Sequence, residues 1–231
     1  MTIDTAMVLA AGLGTRMRPL TETCPKPLLP VAGRSMIDRA LDHVAAAGLS
    51  RAVVNLHYLA PMLRAHLAER AMPQITLTEE DPILETGGGV VHALPHLGSA
   101  PFAVLNSDSI WAGGNPLDDL LAAWRPGEMA ALLLLVPRAA ARAYTRPGDF
   151  WLEGARPVRR GGAETAPYVY SGAQIISPDA FVGVPEGAFS LNIIWDRLLA
   201  EDRVRAVVYQ GAWVDVGTPE GLAAADAALG A

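Results

Sequence analysis

Lysine is almost missing from this chain of 231 residues, cysteine occurs once, and no long apolar run is present. Each shortage excludes something. The single cysteine, Cys24, rules out an internal disulfide framework and a zinc site built from several thiolates. A membrane-spanning helix needs roughly 18 consecutive apolar residues, and the longest candidate, Ala130 to Val136, is only strand-sized. Basic side chains number 18 against 24 acidic ones, a net charge of -6, so the basic face of a general nucleic-acid binder is absent. The first residues carry no basic leader and include Asp4, which does not resemble a secretory signal. A soluble cytoplasmic protein with neither nucleic acid nor membrane as partner is expected.

The shortage of lysine is the most informative. Of the 18 basic residues, 17 are arginine and Lys26 is the one lysine. With abundant alanine, this points to a coding bias that replaces lysine wherever arginine will serve. A lysine surviving such a bias marks a position that needs a compact ammonium and not a planar guanidinium, unless it is a chance survivor on the surface.

What is present is a core. Hydrophobic residues make up 51% of the chain and charged ones 18%, which excludes wholesale disorder. Short apolar runs at 6–9, 52–56, 74–78, 102–105 and 130–136 read as strands, and 35–47, 61–70 and 117–124 as amphipathic helices. The glycine run Gly87-Gly88-Gly89 reads as a loop before a helix through Leu94. Pro25, Pro27 and Pro30 keep residues 10–33 from forming helix, leaving a long loop, ordered or not. Residues 138–167, rich in Arg, Gly and Pro, read as hairpins and loops around Phe150-Trp151-Leu152, and 168–176, 204–210 and 213–216 as later strands. The expectation is one α/β domain over 1–231, Rossmann-like, with a mixed, mainly parallel central sheet flanked by helices.

Ligands of open α/β sheets bind at the carboxyl ends of the strands. The loop after 6–9 carries Gly12, Gly14, Arg16 and Lys26: amides unshielded by a Cβ, and cations able to grip phosphate. The strands at 102–105 and 213–216 lead to Asp108 and Asp215. Two carboxylates facing a phosphate loop would repel phosphates, which points to a divalent cation shared with them. A Rossmann dinucleotide fingerprint fits poorly, because position 17 is Met17 and the second strand ends in Asn55 where an acid would hold ribose. Asp108 alone could be a turn or helix-cap carboxylate. Asp215, between Val214 and Val216, is the harder one to dismiss, since an acid flanked by apolar residues in a strand needs a reason to be there.

The run Leu9-Ala10-Ala11-Gly12-Leu13-Gly14-Thr15-Arg16-Met17-Arg18-Pro19-Leu20-Thr21, followed by Pro25-Lys26-Pro27, resembles the signature of the sugar-1-phosphate nucleotidyltransferases. The resemblance continues at Glu85-Thr86-Gly87-Gly88-Gly89, Asn106-Ser107-Asp108, Tyr170-Ser171-Gly172 and Trp213-Val214-Asp215-Val216-Gly217. Within the family, the chain is most similar to the N-acetylmuramate α-1-phosphate uridylyltransferases of peptidoglycan recycling, and next to mannose-1-phosphate guanylyltransferases. The resemblance implies a nucleoside triphosphate and a sugar 1-phosphate as substrates, Mg2+ as cofactor, and a monomer or homodimer. It implies Ala11, Gly12, Gly14, Thr15, Glu85, Gly87 and Asn106 around the nucleotide, with Arg16 and Lys26 on its phosphates. Asp108 and Asp215 would hold the metal, and Asp149 and Gly172 the sugar. Arg16, Lys26, Asp108 and Asp215 together would be the catalytic set, which weighs against a silent regulatory subunit on the same fold. Two departures stand out: Ser107 replaces the usual glycine beside Asp108, and Ser190 stands where a lysine is expected. No hexapeptide repeat follows residue 216, so no acyltransferase half is expected.

Overall fold

The computed structural model describes residues 2–230. In chain order its strands are β1 (Thr5–Leu9), β2 (Pro30–Val31), β3 (Arg34–Ser35), β4 (Arg51–Leu56), β5 (Gln74–Glu79), β6 (Phe102–Asn106), β7 (Ser109–Ala112), β8 (Ala131–Pro137), β9 (Ala141–Arg142), β10 (Phe150–Glu153), β11 (Arg156–Arg159), β12 (Tyr168–Ile176), β13 (Val204–Val208) and β14 (Ala212–Asp215). The helices are α1 (Met36–Ala46), α2 (Ala60–Leu67), α3 (Glu85–Leu97), α4 (Pro116–Ala123), α5 (Leu191–Ala200) and α6 (Pro219–Leu229).

Nine strands form the central sheet. β5, β4, β1 and β6 lie side by side and parallel, β12 runs antiparallel beside β6, and β8 and β13 continue past β12. The β10–β11 hairpin joins through Phe150 opposite Tyr168. Only β11 and β12 oppose the common direction, so the sheet is the mixed, mainly parallel one expected. Successive strand residues face opposite sides. Ala6, Val8, Ala103 and Leu105 enter the core beneath α1, α2 and α4, while Met7, Phe102 and Val104 enter the one beneath α3 and α5. A third, smaller cluster includes Met17, Ile110, Val214 and Val216, under the glycine loop.

Local chemistry explains the boundaries. Ser35 caps α1 by accepting from Asp38 N at 3.2 Å, an orphan helix donor that otherwise has no partner. The tract at 10–33 is ordered: it contains short 3₁₀ turns at Thr15–Met17 and Lys26–Leu28, and β2 pairs with β3. Two elements differ from the sequence reading. β6 ends at Asn106 as expected, but β7, which follows Asp108 at once and pairs with β14, has no counterpart in the sequence reading. The glycine run lies inside α3 and not before it. Gly87 and Gly88 both donate to Phe189 O, at 2.8 and 3.1 Å, and a Cβ on Gly87 would come within 2.6 Å of the Phe189 ring. Glycine is a poor helix former, but here tertiary contact requires it.

Phe102 is fully buried and stacks on Phe181 with centroids 6.2 Å apart. Phe102→Ala should lower unfolding stability by about 3–5 kcal/mol, read by chemical denaturation. A loss smaller than about 1 kcal/mol would contradict a tightly packed core on that face.

Candidate active site

β1 and β6 are register neighbours, Leu9 opposite Asn106, so the loops after them open side by side. β14 pairs with β7, setting Asp215 opposite Ser109, and Val216 N donates to Asp108 O at 3.3 Å. The loops after β1 and β6 thus open at the carboxyl edge of the central sheet, and β14, which was expected in that sheet but lies in a separate three-stranded one with β7 and β9, brings Asp215 to them. In the first, Gly14 adopts a left-handed conformation (φ 63°), and Thr21 Oγ1 donates to its carbonyl at 2.8 Å. A Cβ on Gly14 would sit 3.0 Å from Lys26 Cβ, so glycine permits both the turn and the close approach of Lys26.

Lys26 is buried, with its side chain 11% exposed, and its Nζ donates to Asp108 Oδ2 at 2.5 Å across 82 residues of sequence. Asp215 faces the same region, its side chain 17% exposed, with Arg146 Nη2 at 3.1 Å from Oδ2. Burial pushes the Asp215 carboxyl above its ordinary value; the Arg146 charge pulls it down, Asp108 adds to the rise, and Lys26 and Arg16 oppose it. Arg16 is exposed and lies over Gly217, where a Cβ would meet Nη1 at 2.8 Å.

A cavity of about 180 Å³ is lined by Ala11, Gly12, Lys26, Glu85, Asn106 and Asp108 among others. A second depression of about 350 Å³ is lined by Gly12, Gly14, Thr15, Arg16, Lys26 and Asp108. Most residues singled out in the sequence are therefore brought to one continuous site. Gly87 is not in either lining: it is buried on Phe189 with its N–H already bonded. Gly172 (φ 87°) is also buried, and a Cβ there would lie 2.5 Å from Ser109 Oγ and 3.0 Å from Asn106 Cβ, so it lets β12 pack under the Asn106 loop. Asp149 accepts from Tyr170 N at 2.9 Å and borders an open groove with Arg159, Arg160 and Asn192.

Both departures have local employment. Ser107 Oγ donates to Leu9 O at 2.8 Å, tying β6 to β1, and Ser190 caps α5 by accepting from Asn192 N at 3.2 Å. Sequence reading missed the brace behind the cavity. Asn55 Oδ1 accepts from Ala10 N at 2.8 Å, Asn55 Nδ2 donates to Glu80 Oε1 at 2.6 Å, and Glu80 Oε2 accepts from Leu84 N at 2.8 Å. Glu80 is 2% exposed, and both of its carboxyl oxygens accept from these donors, as burial of a polar group demands. The one visible trace of this brace was Asn55, an amide at a strand end where an acid would hold ribose in a dinucleotide fold; Glu80 left none.

Chemically, the set offers two carboxylates, a buried ammonium and two guanidinium groups beside a glycine loop. Among the described residues no group of three or more His, Cys, Asp or Glu side chains could cage a metal, and no helix is long and apolar enough to cross a membrane. Comparison with known proteins agrees with this chemistry. The chain is 44% identical to the N-acetylmuramate alpha-1-phosphate uridylyltransferase of Caulobacter vibrioides, over 97% of this chain and 96% of that one. It is 29% identical to the mannose-1-phosphate guanylyltransferase of Mycobacterium tuberculosis, over 93% of this chain but 61% of the relative. Its fold matches that of a UDP-glucose pyrophosphorylase crystallised with UDP-glucose, with TM-score 0.82, 20% identity, and 99% and 98% of the two chains covered. Residues 5–145 match the Nucleotidyl transferase family, and with a full-length relative at 44% identity the chain belongs to that family, among its sugar-1-phosphate enzymes.

Proposed function

We propose that this enzyme transfers a uridylyl group from UTP to N-acetylmuramate α-1-phosphate, giving the UDP-sugar and pyrophosphate, as a single cytoplasmic domain serving peptidoglycan recycling. The observation that carries the reading is the Lys26–Asp108 pair facing Asp215 at the mouth of the glycine loop. The full-length relative of Caulobacter vibrioides supports the choice of base and sugar.

In this reading an oxygen of the sugar phosphate attacks the α-phosphorus of UTP in line, and the bond from that phosphorus to the β-bridging oxygen breaks. The amides of Gly12 and Gly14 and the Arg16 guanidinium receive the terminal phosphates, and Lys26 offsets charge on the oxygens around the reacting phosphorus. Asn106, Glu85 and Ala11 wall the nucleotide, and Gly87 serves from behind by letting α3 close on Phe189. No general base is required, because a phosphate monoester is largely ionised near neutral pH. Asp108 and Asp215 would hold Mg2+: both are hard oxygen donors, and two carboxylates without a third protein ligand suit a cation whose other ligands are phosphates and water. When bound, the metal would supply charge neutralisation at the phosphates. Holding the substrates together in alignment is the remaining contribution of the chain.

Three outcomes check this. A pyrophosphate-release panel crossing UTP, GTP, CTP and dTTP with N-acetylmuramate, glucose, mannose and N-acetylglucosamine 1-phosphates should run fastest with UTP and N-acetylmuramate 1-phosphate. Faster turnover of GTP with mannose 1-phosphate would replace the proposal with its neighbour. Lys26→Arg should lose at least about tenfold in kcat/KM, because a guanidinium is too broad for the ammonium's place on Asp108; unchanged kcat/KM contradicts the role.

Asp215 gives a pH-linked test. Its carboxyl keeps its proton to higher pH in the folded state than its ordinary value of 3.8, so ionisation weakens the fold as pH rises through the raised value. Asp215→Asn removes that loss. At pH 7 without metal the variant should unfold at a denaturant midpoint no lower than wild type, while turnover collapses. A clearly lower midpoint, or retained turnover in Mg2+, contradicts the assignment.

A further inference from the structure

Arg146 stands in the Arg-rich stretch that sequence reading treated as loops, and none of the site roles above uses it. Its guanidinium meets Asp215 at 3.1 Å, yet its side chain is 58% exposed, so one carboxylate does not occupy all of its N–H donors. Its position is built. The guanidinium lies 4.7 Å over the Tyr144 ring, and Tyr144 packs on Trp213 with centroids 6.2 Å apart. Trp213 is buried and donates to Ser171 O at 2.8 Å. The backbone around Arg146 is pinned as well: Arg138 Nε donates to Arg146 O at 3.1 Å, Ala166 N to Pro147 O at 2.8 Å, and Asp149 N to Tyr168 O at 2.8 Å. Stacking a guanidinium on an aromatic face fixes its plane and leaves its edge free to meet an anion with two parallel hydrogen bonds.

Three other arginines near this loop are engaged elsewhere. Arg159 donates to Asp196 and Asn192, Arg160 to Ala163 O, and Arg138 to the loop itself. Arg16 and Lys26 reach the carboxylates from the glycine-loop flank. Arg146 reaches Asp215 from the flank formed by its own loop, which leads within three residues to Asp149. A second phosphate arriving on that flank must pass the Asp215 carboxylate, which repels it unless a cation stands beside it.

We propose that Arg146 grips the phosphate of the incoming sugar 1-phosphate and so selects phosphorylated acceptors; this rests on the transferase reading above. The arginine is a substrate contact that exchanges part of its hold on Asp215 for two phosphate oxygens, and Tyr144 is its positioning partner.

The test is calorimetry of N-acetylmuramate 1-phosphate binding to wild type, Arg146→Ala and Arg146→Lys, each saturated with Mg2+ and the non-reacting α,β-methylene analogue of UTP. Losing a charge-assisted contact should weaken sugar-phosphate binding about 10- to 100-fold in Arg146→Ala, with Arg146→Lys recovering part of it and the analogue's own affinity unchanged in both. Unphosphorylated N-acetylmuramate should bind all three proteins equally. If wild type binds the sugar phosphate and Arg146→Ala binds it as tightly, this inference falls while the transferase reading stands. An equal loss for the unphosphorylated sugar assigns the arginine to the lactyl carboxylate and overturns the phosphate contact. If wild type binds neither the analogue nor any sugar phosphate, the transferase reading itself fails.

Discussion

A buried ammonium bonded to a strand-end carboxylate, Lys26 to Asp108 at 2.5 Å, is the interaction on which the site depends. Taking the ammonium out of water costs several kcal/mol, and attraction to Asp108 offsets that only with good geometry and further partners. Asp108 remains 36% exposed at its side chain and so still faces incoming ligands, whereas Lys26 is covered. The pair therefore joins the glycine loop to β6 and places a positive and a negative group together at the point where phosphates would arrive. Asp215 and Arg146 repeat the arrangement beside it at 3.1 Å. Alternating charge around one point suits a reaction that gathers several phosphates and must neutralise them without a general base.

The scaffold behind this ring is made of close approaches that side chains would forbid. Gly87 meets Phe189, Gly172 meets Ser109 and Asn106, and Gly89 lies where a Cβ would be 2.6 Å from Glu80 Oε1. Asn55 and Glu80 then use their polar atoms on loop amides at Ala10 and Leu84. Satisfied buried networks of this kind hold a geometry more firmly than apolar contact does, because each broken bond leaves a desolvated group. The cavity wall is accordingly preorganised from both sides of β4.

Much of this could be read from the sequence, and the reasons differ by residue. Lys26 was visible because coding bias removed every other lysine. Gly12, Gly14 and Asp108 were visible because parallel strands deliver their carboxyl ends to one edge, so position along the chain foretold position in space; Asp215 reaches that edge by another route, on β14 of a separate sheet with β7 and β9. Helix α1 was legible from Ser35 and its apolar spacing. The glycine run failed as a local signal, since its helical state is imposed by Phe189, more than a hundred residues away. β7 was hidden because its partner, β14, lies about a hundred residues further on. Arg146 was lost among many arginines in a stretch with no periodicity; only the fold shows that this one reaches Asp215. Glu80 gave no sign, because a buried acid satisfied by distant amides looks like any other acid in a list of letters.

In the proposed reaction, phosphates and a divalent cation would take over the charges that Lys26 and Asp108 now give each other. A crystal structure with the α,β-methylene analogue of UTP and Mn2+, with the cation located by its anomalous scattering, tests it most directly. One manganese peak is expected within coordination distance, about 2.1–2.2 Å, of oxygens from both Asp108 and Asp215, with Lys26 Nζ on a phosphate oxygen. A peak touching neither carboxylate, or a Lys26 still bonded to Asp108 alone and distant from every phosphate, would contradict it.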